Sequence, residues 1–164
     1  MKKLFSVLLF ISSVTFVQAQ DRAIVKNSVD ATIGGMGLGI SVNYSRTIVV
    51  KEKYFVVASA GIGSIPSIGG YTIPHQVTFN LGSNGNYMEL GLGGSYWNGK
   101  TNSSGYTETA TSYNISPIIG WRKHFNNNLI FRIYANPLFH ISGEYFYENN
   151  AVVPYLGMSL GYGF

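Results

Sequence analysis

The last part of the chain, residues 154–164, alternates between apolar and small or polar side chains at every second position. The apolar positions are Pro154, Leu156, Met158, Leu160, Tyr162 and Phe164, and the positions between them are Tyr155, Gly157, Ser159, Gly161 and Gly163. Successive side chains of a β-strand point to opposite faces, so this period of two indicates a strand whose faces meet different environments. The segment therefore predicts a β-strand at the end of the chain.

Seven earlier segments show the same alternation, and the gaps between them contain residues typical of turns and loops. The eight predicted strands cover residues 28–34, 38–46, 54–63, 72–81, 87–97, 112–125, 129–140 and 154–164. The connections alternate between short ones (47–53, 82–86 and 126–128) and longer ones (64–71, 98–111 and 140–151). An even number of strands returns both chain ends to one side of an up-and-down barrel. The pattern predicts an all-β fold, an eight-stranded antiparallel up-and-down barrel.

The contents of the two strand faces indicate which face is outside. One face holds large apolar residues, and the other holds mostly Gly, Ser, Asn and Thr with few charges. A water-exposed surface needs many charged side chains, whereas small polar ones suit the narrow interior of an eight-stranded barrel. The prediction is a transmembrane barrel whose apolar face meets lipid. A soluble, secreted ligand-binding barrel with the faces reversed is an alternative.

The N-terminus resembles an export signal. Lys2 and Lys3 precede an apolar run over residues 4–17, and Ala19 is a small residue at a possible cleavage point. This arrangement predicts a secretory signal peptide over 1–19 and a barrel domain over 20–164. Without the two lysines, nine basic and seven acidic residues remain and form no basic cluster, which argues against nucleic acid as a partner. Cysteine is absent, which excludes disulfides and thiolate sites.

Four charged residues fall on the predicted inner face. A tight hairpin at 126–128 places Arg122 opposite Arg132, and like charges in that position destabilise a strand pair. A carboxylate is therefore expected between them, with Glu89 at the right depth and Asp30 as a second candidate. The hypothesis is an internal ion network of structural importance, formed by these four residues. Contact of each charge with lumen water is the alternative.

The pattern as a whole, and the C-terminal strand in particular, resembles small bacterial outer-membrane β-barrels of the OmpA/OmpX-like type. In that resemblance Leu160, Tyr162 and Phe164 correspond to the assembly signal of the last strand, whose partner is the barrel-assembly machinery. The resemblance implies a monomer in the outer membrane of a Gram-negative bacterium, in contact with membrane lipids and lipopolysaccharide. It also implies a role in envelope integrity, adhesion or surface interaction, without a cofactor.

One short segment is the basis of an enzymatic alternative. His140 and Ser142, with Glu144 and Glu148 downstream, resemble the His-x-Ser motif of lipid A deacylases of the PagL type. A serine nucleophile needs a histidine base and an orienting carboxylate. The residues that flank the family motif are missing, however. We therefore predict no catalytic, cofactor-binding or metal site, and a non-enzymatic barrel.

Overall fold

The structure is a computed structural model that describes residues 24–66, 69–103, 106–143 and 152–164. Within these residues the strands are β1 Asn27–Gly34, β2 Gly39–Val50, β3 Tyr54–Ser64, β4 Tyr71–Ser83, β5 Asn86–Ser103, β6 Tyr106–His124, β7 Leu129–Ala135, β8 Leu138–Gly143, β9 Val152–Val153 and β10 Leu156–Gly163. A single 3₁₀ turn, Gly35–Gly37, joins β1 to β2. The described part of the chain contains no helix long and apolar enough to span a membrane.

The strands close into one antiparallel barrel. Strand β1 pairs with β2 on one side and with β10 on the other, and β5 and β6 complete the circle between β4 and β7. Strands β7 and β8 are consecutive segments of one barrel strand, as are β9 and β10. The ten described strands therefore form eight full-length barrel strands, which we call staves. The predicted eight-stranded up-and-down barrel is confirmed.

The predicted strand 129–140 is interrupted, and prolines explain the break. In the register between β6 and the seventh stave, Ile119 faces Ala135 and Ile115 faces Phe139, so Pro117 faces Pro137. Proline has no N–H to donate to a ladder. The Ser116 hydroxyl lies 2.7 Å from Pro137 O and 3.0 Å from Pro117 O, so its one proton is shared between the carbonyls that the missing amides leave without a donor.

The prediction of a polar loop over residues 98–111 was wrong, because most of these residues belong to strands β5 and β6. The β5–β6 ladder continues from the pair Asn98 and Thr111 to the pair Ser103 and Tyr106. The alternation of apolar residues marks only the part of a strand whose two faces differ. Beyond Trp97 the sequence of this two-stranded ribbon is mostly polar at successive positions, so its backbone pairing leaves no hydrophobic alternation in the sequence.

Three tight connections lie at the end of the barrel where Asn27 and Phe164 meet, called here the termini end; the opposite end is the far end. Asn27 and Phe164 exchange two backbone hydrogen bonds there, at 2.8 and 3.1 Å. The β4–β5 turn has positive φ at Asn84 (57°) and Gly85 (76°), the geometry that a two-residue hairpin requires. The predicted placement of the short connections is therefore correct.

Large apolar side chains point outward and small polar ones point inward. Ile33, Leu92 and Leu156 are 63%, 61% and 71% exposed, whereas Ser116 and Thr72 are fully buried. Leu38 departs from its predicted outward position. It follows the 3₁₀ turn with a φ of +62° and is buried in the interior, so the outward alternation of β2 begins at Ile40.

Candidate functional site

The interior of the barrel contains a buried ion cluster in the half nearer the termini end. Glu89 on β5 accepts a hydrogen bond from Arg122 Nε at 2.8 Å and another from Arg132 Nε at 3.1 Å, both through Oε2. Its Oε1 accepts from Arg132 Nη2. All three side chains are at least 97% buried. We call Glu89, Arg122 and Arg132 the lumen network.

The register of the strands explains why these residues meet. Arg122 and Arg132 are directly opposite each other on β6 and β7, as the hairpin predicts. Glu89 pairs with Gly120, one inward position along β6 from Arg122. A carboxylate therefore lies between two guanidinium groups that would otherwise repel each other. The structure brings together three of the four residues that the sequence singles out.

Asp30 is buried in the same interior but has different partners. Its carboxylate accepts hydrogen bonds from Thr32 Oγ1 at 2.8 Å, from Asn43 Nδ2 at 3.1 Å and from Ser45 Oγ at 3.4 Å. These donors lie on β1 and β2, and one strand, β10, separates β1 from β7, which carries Arg132. The ion pairs found among the described residues are those of Glu89, so Asp30 joins a neighbouring polar cluster.

Two further residues hold Arg132 in place. With the Gln76 amide turned so that its oxygen faces Arg132, that oxygen accepts from both terminal guanidinium nitrogens at 3.0 Å. The guanidinium carbon also lies 4.9 Å from the centre of the Tyr134 ring, a cation–π distance. The sequence places both residues on the inner face. It carries no signal for their depth, which is set by the stagger between staves.

Apolar side chains close the interior on both sides of the lumen network. Toward the far end lies a cluster of Met36, Leu38, Ile65, Trp97, Ala110, Ile118, Tyr134 and Leu138. Toward the termini end, Phe55 packs edge-on against Tyr87 with ring centres 4.8 Å apart, and Val57 lies beside them. A void beside β2, β3 and β4 measures about 10 Å³, room for about one water molecule. The described side chains thus fill the interior between the two clusters, and a hollow of about 850 Å³ opens at the termini end beside Phe55 and Tyr87.

The termini-end cluster is not among the residues that the sequence singled out. Phe55 and Val57 weaken the alternation of the third predicted strand, and that irregularity is the signal that they point inward. An inner face that carries both large apolar and polar residues contrasts less with the outer face. The blurred alternation therefore marks the layer that closes the barrel mouth.

The residues of the enzymatic alternative lie at the far end. His140 Nδ1 is 3.4 Å from Ser112 Oγ, and Ser142 is exposed near the end of β8. A register shift between Tyr113 and Asn114 separates the rungs on which His140 and Ser142 pair with β6. Glu144 and Glu148 lie outside the described residues. Leu160, Tyr162 and Phe164 all point outward from the last stave.

The chain matches no protein-family model and no curated protein. It is similar in structure to the N-terminal β-barrel domain of Pseudomonas aeruginosa OprF, with a TM-score of 0.61 and 12% sequence identity over 84% of this chain and 96% of that one. It is also similar to Neisserial surface protein A (NspA), with a TM-score of 0.50 and 13% identity over 85% of this chain and 96% of that one. At such low identity the likeness shows the fold, a closed eight-stranded barrel, as the strand pairing does.

Proposed function

We propose that this protein is an integral outer-membrane barrel, without enzymatic activity, whose role in the envelope or in surface interaction is carried by its far end. The observation that carries the proposal is the reversed distribution of polarity: exposed apolar side chains surround a closed interior that holds the buried charged side chains. Both similar solved structures are outer-membrane barrel proteins, which supports the same location.

The outer surface is suited to lipid. Contiguous apolar patches on soluble monomers rarely exceed a few hundred Å². Here exposed Val, Ile, Leu and Met side chains occur on β1, β2, β3, β4, β5, β6, β7 and β10. The closed backbone ladder leaves few polar groups unpaired, as a hydrocarbon environment requires. This surface argues against the soluble alternative, because a secreted ligand-binding barrel would present charges to water.

Export and assembly complete the proposal. The signal peptide over 1–19 directs the chain out of the cytoplasm, and Leu160, Tyr162 and Phe164 form the segment that the barrel-assembly machinery recognises. In this orientation the termini end faces the periplasm and the far end faces outward. The barrel acts as a monomer, and its lipid partners include lipopolysaccharide on the outer side.

The far end supplies a projecting surface for interaction. The pairing of β4 with β5 ends at Asn98, and the pairing of β8 with β6 ends at Ser112. Beyond these rungs β5 and β6 pair only with each other among the described strands, over residues 99–103 and 106–110. At ~3.4 Å per residue, these five rungs extend the β5–β6 pair about 17 Å beyond its last described pairings with β4 and β8.

Cell fractionation with a gel-mobility assay tests the location. We expect the mature chain in outer-membrane vesicles, migrating anomalously until it is boiled, because a folded barrel resists detergent. A ribbon deletion that removes 99–110 is the matched variant, and we expect it to keep the heat-dependent shift while losing any surface interaction. Recovery of the wild-type chain from the periplasm or the medium would contradict the proposal.

Lipid A analysis tests the absence of enzymatic activity. We expect the mass spectrum of lipid A to be the same with and without the protein. Loss of an acyl chain that depends on the protein and disappears with His140→Ala would instead favour the deacylase alternative.

A further inference from the structure

Basic residues that are scattered along the sequence converge at the termini end. They are Lys26, Arg46, Lys51, Lys53 and Lys123, and we call them the basic collar. Lys26 precedes β1, Arg46 pairs with Asn27 at the first rung, and Lys123 pairs with Asn86 at the start of β5. The sequence shows no basic cluster because the fold alone brings these positions to one end.

Two members of the basic collar lie on the outer face of the barrel. Arg46 is exposed and shares the outward face of β2 with Val42 and Tyr44. Lys123 is outward on β6, where its Nζ donates to Asn86 Oδ1 at 2.8 Å and lies 6.0 Å from the Phe125 ring. These cations therefore stand at the edge of the apolar surface, among aromatic side chains typical of a membrane interface.

Acidic side chains among the described residues do not balance the charge of this end. Glu52 is the acidic side chain among the described residues of the termini end, where it stands between Lys51 and Lys53. The four buried interior charges, Asp30 and Glu89 with Arg122 and Arg132, cancel each other. By sequence, the formal charges of Lys100 on β5 and Glu108 on β6 also sum to zero. The net positive charge of the described barrel is therefore concentrated in the basic collar.

We propose that the basic collar binds the phosphate groups of anionic phospholipids in the leaflet at the termini end. The inference rests on the proposed membrane location. The outward apolar surface of the barrel lies in the hydrocarbon, so Arg46 and Lys123 at its edge lie at the level of the lipid headgroups. Long basic side chains reach from the edge of an apolar surface to the interface, where phosphates are their natural partners. Each such residue raises the affinity for anionic over neutral lipid by up to about fivefold.

Fluorescence quenching by brominated lipids tests the proposal. The reporter chain carries Tyr44→Trp and Trp121→Phe, which places an outward tryptophan beside Arg46, while Trp97 stays buried in the interior. The chain is folded into phosphatidylcholine vesicles that contain phosphatidylglycerol, with bromine on the acyl chains of one lipid or the other. Quenching by each brominated lipid then gives the relative affinity of the two lipids for this surface.

We expect the reporter chain to prefer phosphatidylglycerol by at least about fivefold, and the preference to shrink in high salt. Combined Lys26→Gln, Arg46→Gln, Lys51→Gln and Lys53→Gln changes should bring the ratio close to one. Lys100→Gln at the far end is the matched control and should leave it unchanged. An unaltered preference in the fourfold variant, or an equal loss in the control, would overturn the proposal. Absence of quenching by both lipids would contradict the membrane location itself and, with it, the collar.

Discussion

Glu89 holds together three staves, because its carboxylate joins Arg122 and Arg132 across β5, β6 and β7. Strand register and the need for a counter-charge were enough to predict this contact from the sequence. The same reasoning could not separate Asp30 from the lumen network. Alternation shows that a side chain points inward, but it does not show which inward side chains of other strands lie close to it. The contacts of Gln76 and Tyr134 with Arg132 were not predicted for the same reason.

Removing the Glu89 carboxylate is expected to destabilise the barrel strongly. Glu89→Ala leaves two buried guanidinium groups without a counter-charge, a loss of about 3–5 kcal/mol for a broken buried ion pair. Urea unfolding of the barrel in vesicles measures the change. Glu52→Gln, in an exposed turn, is the control and should change stability by less than about 0.5 kcal/mol. An unfolding midpoint that Glu89→Ala leaves unchanged would show that the lumen network has no structural role.

At the scale of elements, the sequence predicted the staves well where one face meets apolar surroundings. The sequence did not predict two features of the strands. The β5–β6 ribbon was missed because a polar ladder has no hydrophobic period, and the break between β7 and β8 was missed because Pro137 acts together with Pro117 on another strand. A break of that kind depends on register, which a single segment does not contain.

The Ser116 hydroxyl is expected to stabilise this interrupted rung. Ser116→Ala leaves the carbonyls of Pro117 and Pro137 without its hydrogen bond, at a cost of about 1–3 kcal/mol for a buried unsatisfied acceptor. Ser95 is an equally buried serine whose Oγ contacts no hydrogen-bond partner in the described structure, so Ser95→Ala is the matched control. Equal unfolding free energies for the two variants would contradict this role of Ser116.

At the scale of the whole molecule, the barrel has a filled interior and an uneven distribution of charge. The closed eight-stranded fold follows from the alternation and the turn signals, and its outward apolar face follows from the residue types on the two strand faces. The basic collar does not, because Lys26, Arg46 and Lys123 are far apart in sequence and meet only when the barrel closes. The layering of the interior is also a property of the assembled barrel.

The filled interior predicts that the barrel does not conduct ions. The lumen network and the two apolar clusters occupy the passage, and eight staves leave little room beside them. Planar bilayer recordings of the purified, folded chain should therefore show no discrete conductance steps. Regular steps that persist in the wild-type chain would mean that the interior clusters open.

Spin-label accessibility measures the orientation of the two faces most directly, and the absence of native cysteine makes the chain suitable for it. Single labels replace Leu92, Ile133 and Leu160 on the outward face, with a label at Lys100 as the aqueous control. In vesicles, we expect the three outward labels to be relaxed by apolar oxygen and protected from a water-soluble nickel complex, and the Lys100 label to show the reverse. Nickel access to Leu92, Ile133 and Leu160 equal to that at Lys100 would contradict the transmembrane barrel.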